Sequence, residues 1–210
     1  EKKKNKPVFK NSIAIRTILN STSGLDIDQS KISLMMGKNC HVVLYPINKN
    51  KELNFVCISR HKKNDPDNIK TLIEKVLKQN PNLEKAFKED LKSWPLYATS
   101  KILPSTNNKI FYIGDAFNGF LPTLAQGAGQ SIESSFELFN LIKEERGDIQ
   151  NIYFQKRSNR AMIVRRRSNF NFFIFHLSSK FMQTIRNFFM KFLLKRKGFI
   201  NSYLGTVYKN

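Results

Sequence analysis

Lys109-Ile110-Phe111-Tyr112-Ile113-Gly114-Asp115-Ala116-Phe117-Asn118-Gly119-Phe120-Leu121-Pro122-Thr123-Leu124-Ala125-Gln126-Gly127-Ala128-Gly129 is the stretch that decides the fold. Its first six residues form a short apolar run closed by glycine and read as a strand. Three more glycines are spread over the loop that follows, and Gln130 to Ile142 then has helical spacing. Strand, glycine-rich loop and helix in that order aim backbone N–H groups at a ligand, and small residues let the backbone come close to it. Read alone, the stretch is better taken as a glycine-rich turn in which Asp115 caps something local.

Working upstream, Ser12 to Leu19 is rich in β-branched residues and stops at the turn-prone run Asn20 to Gly24, which predicts a strand and a loop. Cys40 to Ile47 and Leu53 to Ser59 predict two more strands, joined as an antiparallel hairpin by the polar segment Asn48 to Lys51. Asp67 is placed to cap a helix in which Ile69, Leu72, Ile73, Val76 and Leu77 recur at helical spacing until Asn80 and Pro81. Leu83 to Leu91 suits a further short helix. Trp94 to Tyr97 returns extended, since Pro95 does not support a helix interior. Downstream of Gly147 the pattern is helical, with Tyr153, Phe154, Ile163 and Val164 on apolar stripes among arginines.

The chain has 210 residues, 40% hydrophobic and 12% aromatic, enough for a real core and incompatible with a disordered tail. One compact domain or parts of two are expected. Lys and Arg number 36 against 16 Asp and Glu. They run from Lys2 to Lys209 without a zinc-finger spacing, so the expectation is a solvated basic surface and no nucleic-acid partner. Arg165, Arg166 and Arg167 keep contact with an anionic membrane surface open. Cys40 and Cys57 show neither a metal-ligand spacing nor a disulfide framework, and are expected to be buried thiols of a reducing compartment. Charged residues interrupt every apolar stretch before the ~20 residues a membrane span needs. A soluble cytoplasmic protein is the expectation.

Gly114-Asp115-Ala116, Pro122 eight residues after that glycine, and Gln126-Gly127-Ala128 before a helix carrying Glu133 together resemble the second flavin motif of the salicylate-hydroxylase-like group of FAD-dependent aromatic-ring monooxygenases. The likeness extends at lower specificity to Ala14-Ile15-Arg16, to His41 through Pro46, to Leu53 through Val56, and to a tail around Arg157, Arg160 and Phe175 to Asn187. Phe117-Asn118 stands where the group usually has Ala-His. Ser134 stands where it commonly has an acidic residue.

The resemblance implies an α/β (α+β) fold corresponding to the C-terminal part of a flavoprotein monooxygenase. Residues 1–105 would form part of a substrate-binding domain, 106–146 an FAD-binding strand-loop-helix, and 147–210 the C-terminal helices. Asp115 would accept hydrogen bonds from ribityl hydroxyls. Pro122 would shape the wall beside the ring, and the N–H groups of Gly127, Ala128 and Gly129 would face the flavin pyrimidine end. No Gly-x-Gly-x-x-Gly follows a strand, so the adenine and pyrophosphate half of the FAD site is expected in a missing N-terminal half.

Alternation along Cys40 to Ile47 puts His41 and Tyr45 on one strand face. By resemblance these two contact an aromatic substrate, with His41 removing a phenolic proton, and Gln126 supplies a substrate-facing amide. Half-buried strand residues with satisfied hydrogen bonds would give the same pattern. His61 and His176 are expected to be structural. The implied activity is hydroxylation of a phenolic or related ring with NADH or NADPH and O2. The alternative is a non-catalytic flavoprotein fragment or subunit that needs a partner to hold FAD.

Overall fold

The computed structural model describes residues 6–20, 28, 30–61, 71, 73–74, 77–78, 91–107, 109–144 and 147–208. The fold is mixed α/β. Its strands are β1 (Pro7–Asn20), β2 (Ser33–Met36), β3 (Cys40–Ile47), β4 (Glu52–Arg60) and β5 (Lys92–Thr99). The helices are α1 (Gly114–Asn118), α2 (Gly127–Lys143), α3 (Ile149–Phe175), α4 (Lys180–Leu193) and α5 (Lys197–Tyr208). The chain divides into two compact units, one of Glu1–Phe9, Tyr97–Phe172 and Phe189–Asn210, the other of Lys10–Leu96 and Phe173–Phe188. They are called the loop-bearing and the sheet unit below.

The five strands lie in the order β2-β3-β4-β1-β5. The β2/β3, β3/β4 and β4/β1 pairs are antiparallel. β3 and β4 form the expected hairpin, turned through Asn48 and Lys49 at φ 49° and 57°. Asparagine tolerates that left-handed conformation better than lysine does. Period-two alternation sends Val42 and Leu44 of β3, Phe55 and Cys57 of β4, and Ile13 and Ile15 of β1 into one core, where Ile73 joins them. Fully burying a side chain of this size contributes about 1.5–3 kcal/mol. Both cysteines are free and buried, and burial pushes their thiol pKa values up.

β2 has no clear alternation and was not apparent in the sequence; Met35 and Met36 pair with Val42 and His41. The described residues between 71 and 78 are helical, as the spacing predicts. The cap at Asp67 and residues 83–90 of the further short helix lie outside the described residues.

The stretch before Gly114 differs from expectation. Residues 110–113 carry no ladder among the described residues; the Ile110 N–H closes a turn on the Asn107 carbonyl at 3.1 Å, Ile113 is extended, and Ile110, Tyr112 and Ile113 are exposed. An apolar run becomes a strand only where a neighbour accepts its backbone groups. Here the Tyr112 carbonyl instead accepts the Tyr153 hydroxyl at 2.9 Å.

Candidate functional site: a flavin-type loop and a buried histidine pair

In the loop-bearing unit, Gly114 opens α1 at φ +54°, the left-handed region that favours glycine. A Cβ there would lie 2.5 Å from the Ser131 hydroxyl oxygen, so α1 starts hard against the second turn of α2. Asp115 follows in the first turn of α1, exposed and without a hydrogen-bond partner among the described residues. Pro122 is exposed in a short 3-10 turn that ends at Ala125, itself left-handed at φ 52°. Gln126 is the residue before α2, and Gly127, Ala128 and Gly129 form the first turn of that helix.

The first N–H groups of a helix have no partner within it. Gly127 and Ala128 are exposed, and a Cβ added at Gly127 would meet nothing within 4 Å. An unpaired carboxylate beside open helix-start amides fits the two demands of a flavin: an acceptor for ribityl hydroxyls and donors for the electron-rich pyrimidine edge. Gln126 is buried, and its Oε1 accepts the Gln130 side-chain amide at 3.4 Å.

α3 holds this loop from behind with a stripe that helical spacing alone would not single out: Tyr153, Arg157, Ala161, Val164, Ser168 and Asn171 are all buried. Half of the stripe is polar, and each polar member bonds the segment that contains the loop. Arg157 donates to Gln130 Oε1 at 2.8 Å and to Glu133 at 3.1 Å. Ser168 donates to the Leu121 carbonyl, and the Thr123 hydroxyl donates to the Ser168 carbonyl at 2.7 Å. Asn171 donates to the Thr123 carbonyl at 3.4 Å. Arg165 reaches Asn118 of α1 and the Thr99 hydroxyl. It is therefore engaged with protein.

In the sheet unit, His41 is 2% exposed on the face of β3 opposite Val42 and Leu44. Tyr45, two alternations further along, shares that face and is partly exposed. His41 Nδ1 lies 3.2 Å from His176 Nε2, which also lies 3.1 Å from the Ile58 carbonyl. Phe175 meets the His41 ring edge-on at 5.2 Å. Burial, and then the neighbouring His176, lower the His41 pKa to about 3. The ring is neutral, and His176, expected to be structural, is its immediate partner. Two residues separated by 135 positions offer no local signal of that pairing. Thus the structure brings Asp115, Pro122 and Gly127 to Gly129 together in one unit, with Gln126, and places His41 and Tyr45 in the other.

No family profile matches the chain. It is 32% identical over 145 residues to the FAD-dependent monooxygenase cfoG of Aspergillus candidus, an alignment covering 61% of this chain and 33% of that protein. Among solved structures, a substituted form of Klebsiella pneumoniae HpxO complexed with FAD matches 97% of the chain and 55% of its own length, with a TM-score of 0.79 and 14% identity. HpxO complexed with FAD and uric acid gives 0.75 and 15%, over 97% of this chain and 54% of its own. A salicylate hydroxylase in a substrate complex gives 0.70 and 15%, over 96% and 57%. The chain therefore spans a third of the curated relative and a little over half of these structures. With the ordered motif from Gly114 to Gly129 beside them, these comparisons make the chain similar in sequence to part of an FAD-dependent monooxygenase and give it the fold shared by these FAD-complexed and hydroxylase structures.

Proposed function

We propose that this chain, joined to the segment that holds the adenine and pyrophosphate of FAD, hydroxylates a phenolic or related aromatic ring with NADH or NADPH and O2 in the cytoplasm. The observation that carries the reading is the exposed, unpartnered Asp115 carboxylate beside the open first turn of α2. Bound FAD supplies the electron transfer and the oxygen chemistry. The chain's own residues position it: Asp115 takes the ribityl hydroxyls, Pro122 lies along the ring, and the amides of Gly127, Ala128 and Gly129 stabilise negative charge at the pyrimidine edge. His41, Tyr45 and Gln126 are assigned to the ring substrate. Uric acid and the substrate of salicylate hydroxylase, bound by structural neighbours, support an aromatic ring as the substrate class.

The test is to coexpress the chain with its complementary N-terminal segment and titrate FAD by flavin fluorescence. Asp115→Ala is expected to weaken binding by about 1.5–3 kcal/mol, the worth of charge-assisted hydrogen bonds. An unchanged FAD affinity in that variant overturns the assignment.

A further inference from the structure

We propose that His176 holds His41 in the tautomer whose proton is on Nε2, so that His41 offers the ring substrate a hydrogen-bond donor and not a base. The reacting oxygen that His41 meets is then a hydrogen-bond acceptor, and an ionised hydroxyl or a carbonyl fills that part better than a neutral phenol does. The proposal rests on the assignment of His41 to the substrate made above, and it replaces the proton-abstracting role that the resemblance implied.

The argument starts from the Ile58 carbonyl, which can only accept. His176 Nε2 lies 3.1 Å from it and must therefore carry a hydrogen. The same nitrogen lies 3.2 Å from His41 Nδ1. An N–H on His41 Nδ1 would confront the N–H of His176, so Nδ1 has to present its lone pair. A neutral imidazole with one bare nitrogen carries its hydrogen on the other. That atom, His41 Nε2, has no partner among the described residues, and it is the polar group the ring has left to offer.

The carbonyl that drives this choice is fixed. Ile58 is paired with His41 on β3 and with Ala14 on β1, so β4 is held on both sides. The ring cannot escape the choice by ionising, because burial keeps it neutral. Phe175 closes over its edge, leaving little freedom to turn. To act as a base through Nε2, His41 would need its proton on Nδ1, at the loss of the His176 contact or the Ile58 bond.

The lock is read directly by long-range 1H–15N correlation on the 210-residue chain labelled in histidine, with signals assigned by single replacements of the three histidines. The expected spectrum shows His41 with bare Nδ1 and protonated Nε2 at neutral pH. His176→Gln, whose amide also donates, should keep that pattern, and His176→Phe should release it into a mixture of tautomers. A wild-type His41 protonated on Nδ1 overturns the proposal, as does a folded His176→Phe with the tautomer unchanged. Should His176→Phe fail to fold, the wild-type and His176→Gln spectra still decide. The acceptor preference is tested on the completed enzyme with 4-nitrophenol, whose absorbance distinguishes its two forms. It should bind as the phenolate at pH values where the free compound is mostly protonated. Binding as the neutral phenol overturns that preference. A failure of FAD binding would leave the spectra of the chain unaffected, so the two readings fail separately.

Discussion

Glu133 stands between two guanidinium groups, 3.1 Å from Arg157 and 3.3 Å from Arg160. Burial alone would raise its pKa, but hydrogen bonds from Arg160 and Arg157 outweigh that and hold the carboxyl below its usual range. Glu133→Ala leaves Arg157, only 8% exposed, as a buried cation without its counter-charge. The expected loss is about 1–3 kcal/mol in urea unfolding. Because the folded pKa is depressed, the carboxyl's contribution is present above the unfolded value of about 4.3 and fades as pH falls through the folded one. His41 acts in a different window. Its folded pKa of about 3 lies below an unfolded value of roughly 6.5, so its contribution is full above that and is lost as pH drops toward 3. Urea midpoints between those limits should flatten in His41→Gln, while Glu133→Gln flattens only the acid end. In the completed enzyme, His41→Ala should leave flavin reduction intact and slow hydroxylation by ~10²-fold, the usual scale for a lost donor to a charged oxygen. NAD(P)H consumption measured against product would show the difference as uncoupling.

At the scale of elements, the two ends of the loop make opposite demands on glycine. Gly114→Ala meets both a positive φ and the Ser131 hydroxyl, and is expected to cost about 1–2 kcal/mol or more while pulling α1 off α2. Gly127→Ala meets nothing and removes a glycine from a helix, so the fold should hold or gain up to about 1 kcal/mol. If the flavin lies there, FAD affinity should fall even as Tm stays level. A parallel loss of both in Gly127→Ala would mean a purely structural glycine. The hairpin of β3 and β4 was legible because alternation and a polar turn agree, and α2 because its apolar residues recur at helical spacing. The buried face of α3 was not, since Arg157, Ser168 and Asn171 sit on it, and hydropathy reads such residues as solvent-facing. The run Lys109 to Gly114 misled for a related reason: sequence shows which residues favour extension, not whether a neighbouring strand exists. His41 and Tyr45 were legible as one face, but the neutral histidine pair depends on residues far apart in the chain.

For the molecule as a whole, a net charge of +20 sets how it meets polyanions. If the charge is a solvated surface, duplex DNA should be retained weakly and released as salt approaches physiological strength, as a filter-binding series would record. Tight sequence-selective retention at that salt would contradict this. α2 also exposes a run of Ile132, Phe136, Phe139 and Ile142, the first three at least 60% exposed. The chain by itself should bind an apolar dye such as ANS, and Phe136→Ser with Phe139→Ser should reduce that signal. The bonds from Thr123, Ser168 and Asn171 bear on time as well as on position. A cofactor meeting a seat that is already tied down has no ordering step to wait for. In stopped flow, FAD should therefore enter the completed protein in a single phase whose rate climbs linearly with flavin concentration. With Ser168→Ala and Thr123→Val together, a slower phase that reaches a plateau should appear, its height marking the fraction of molecules whose seat had come undone.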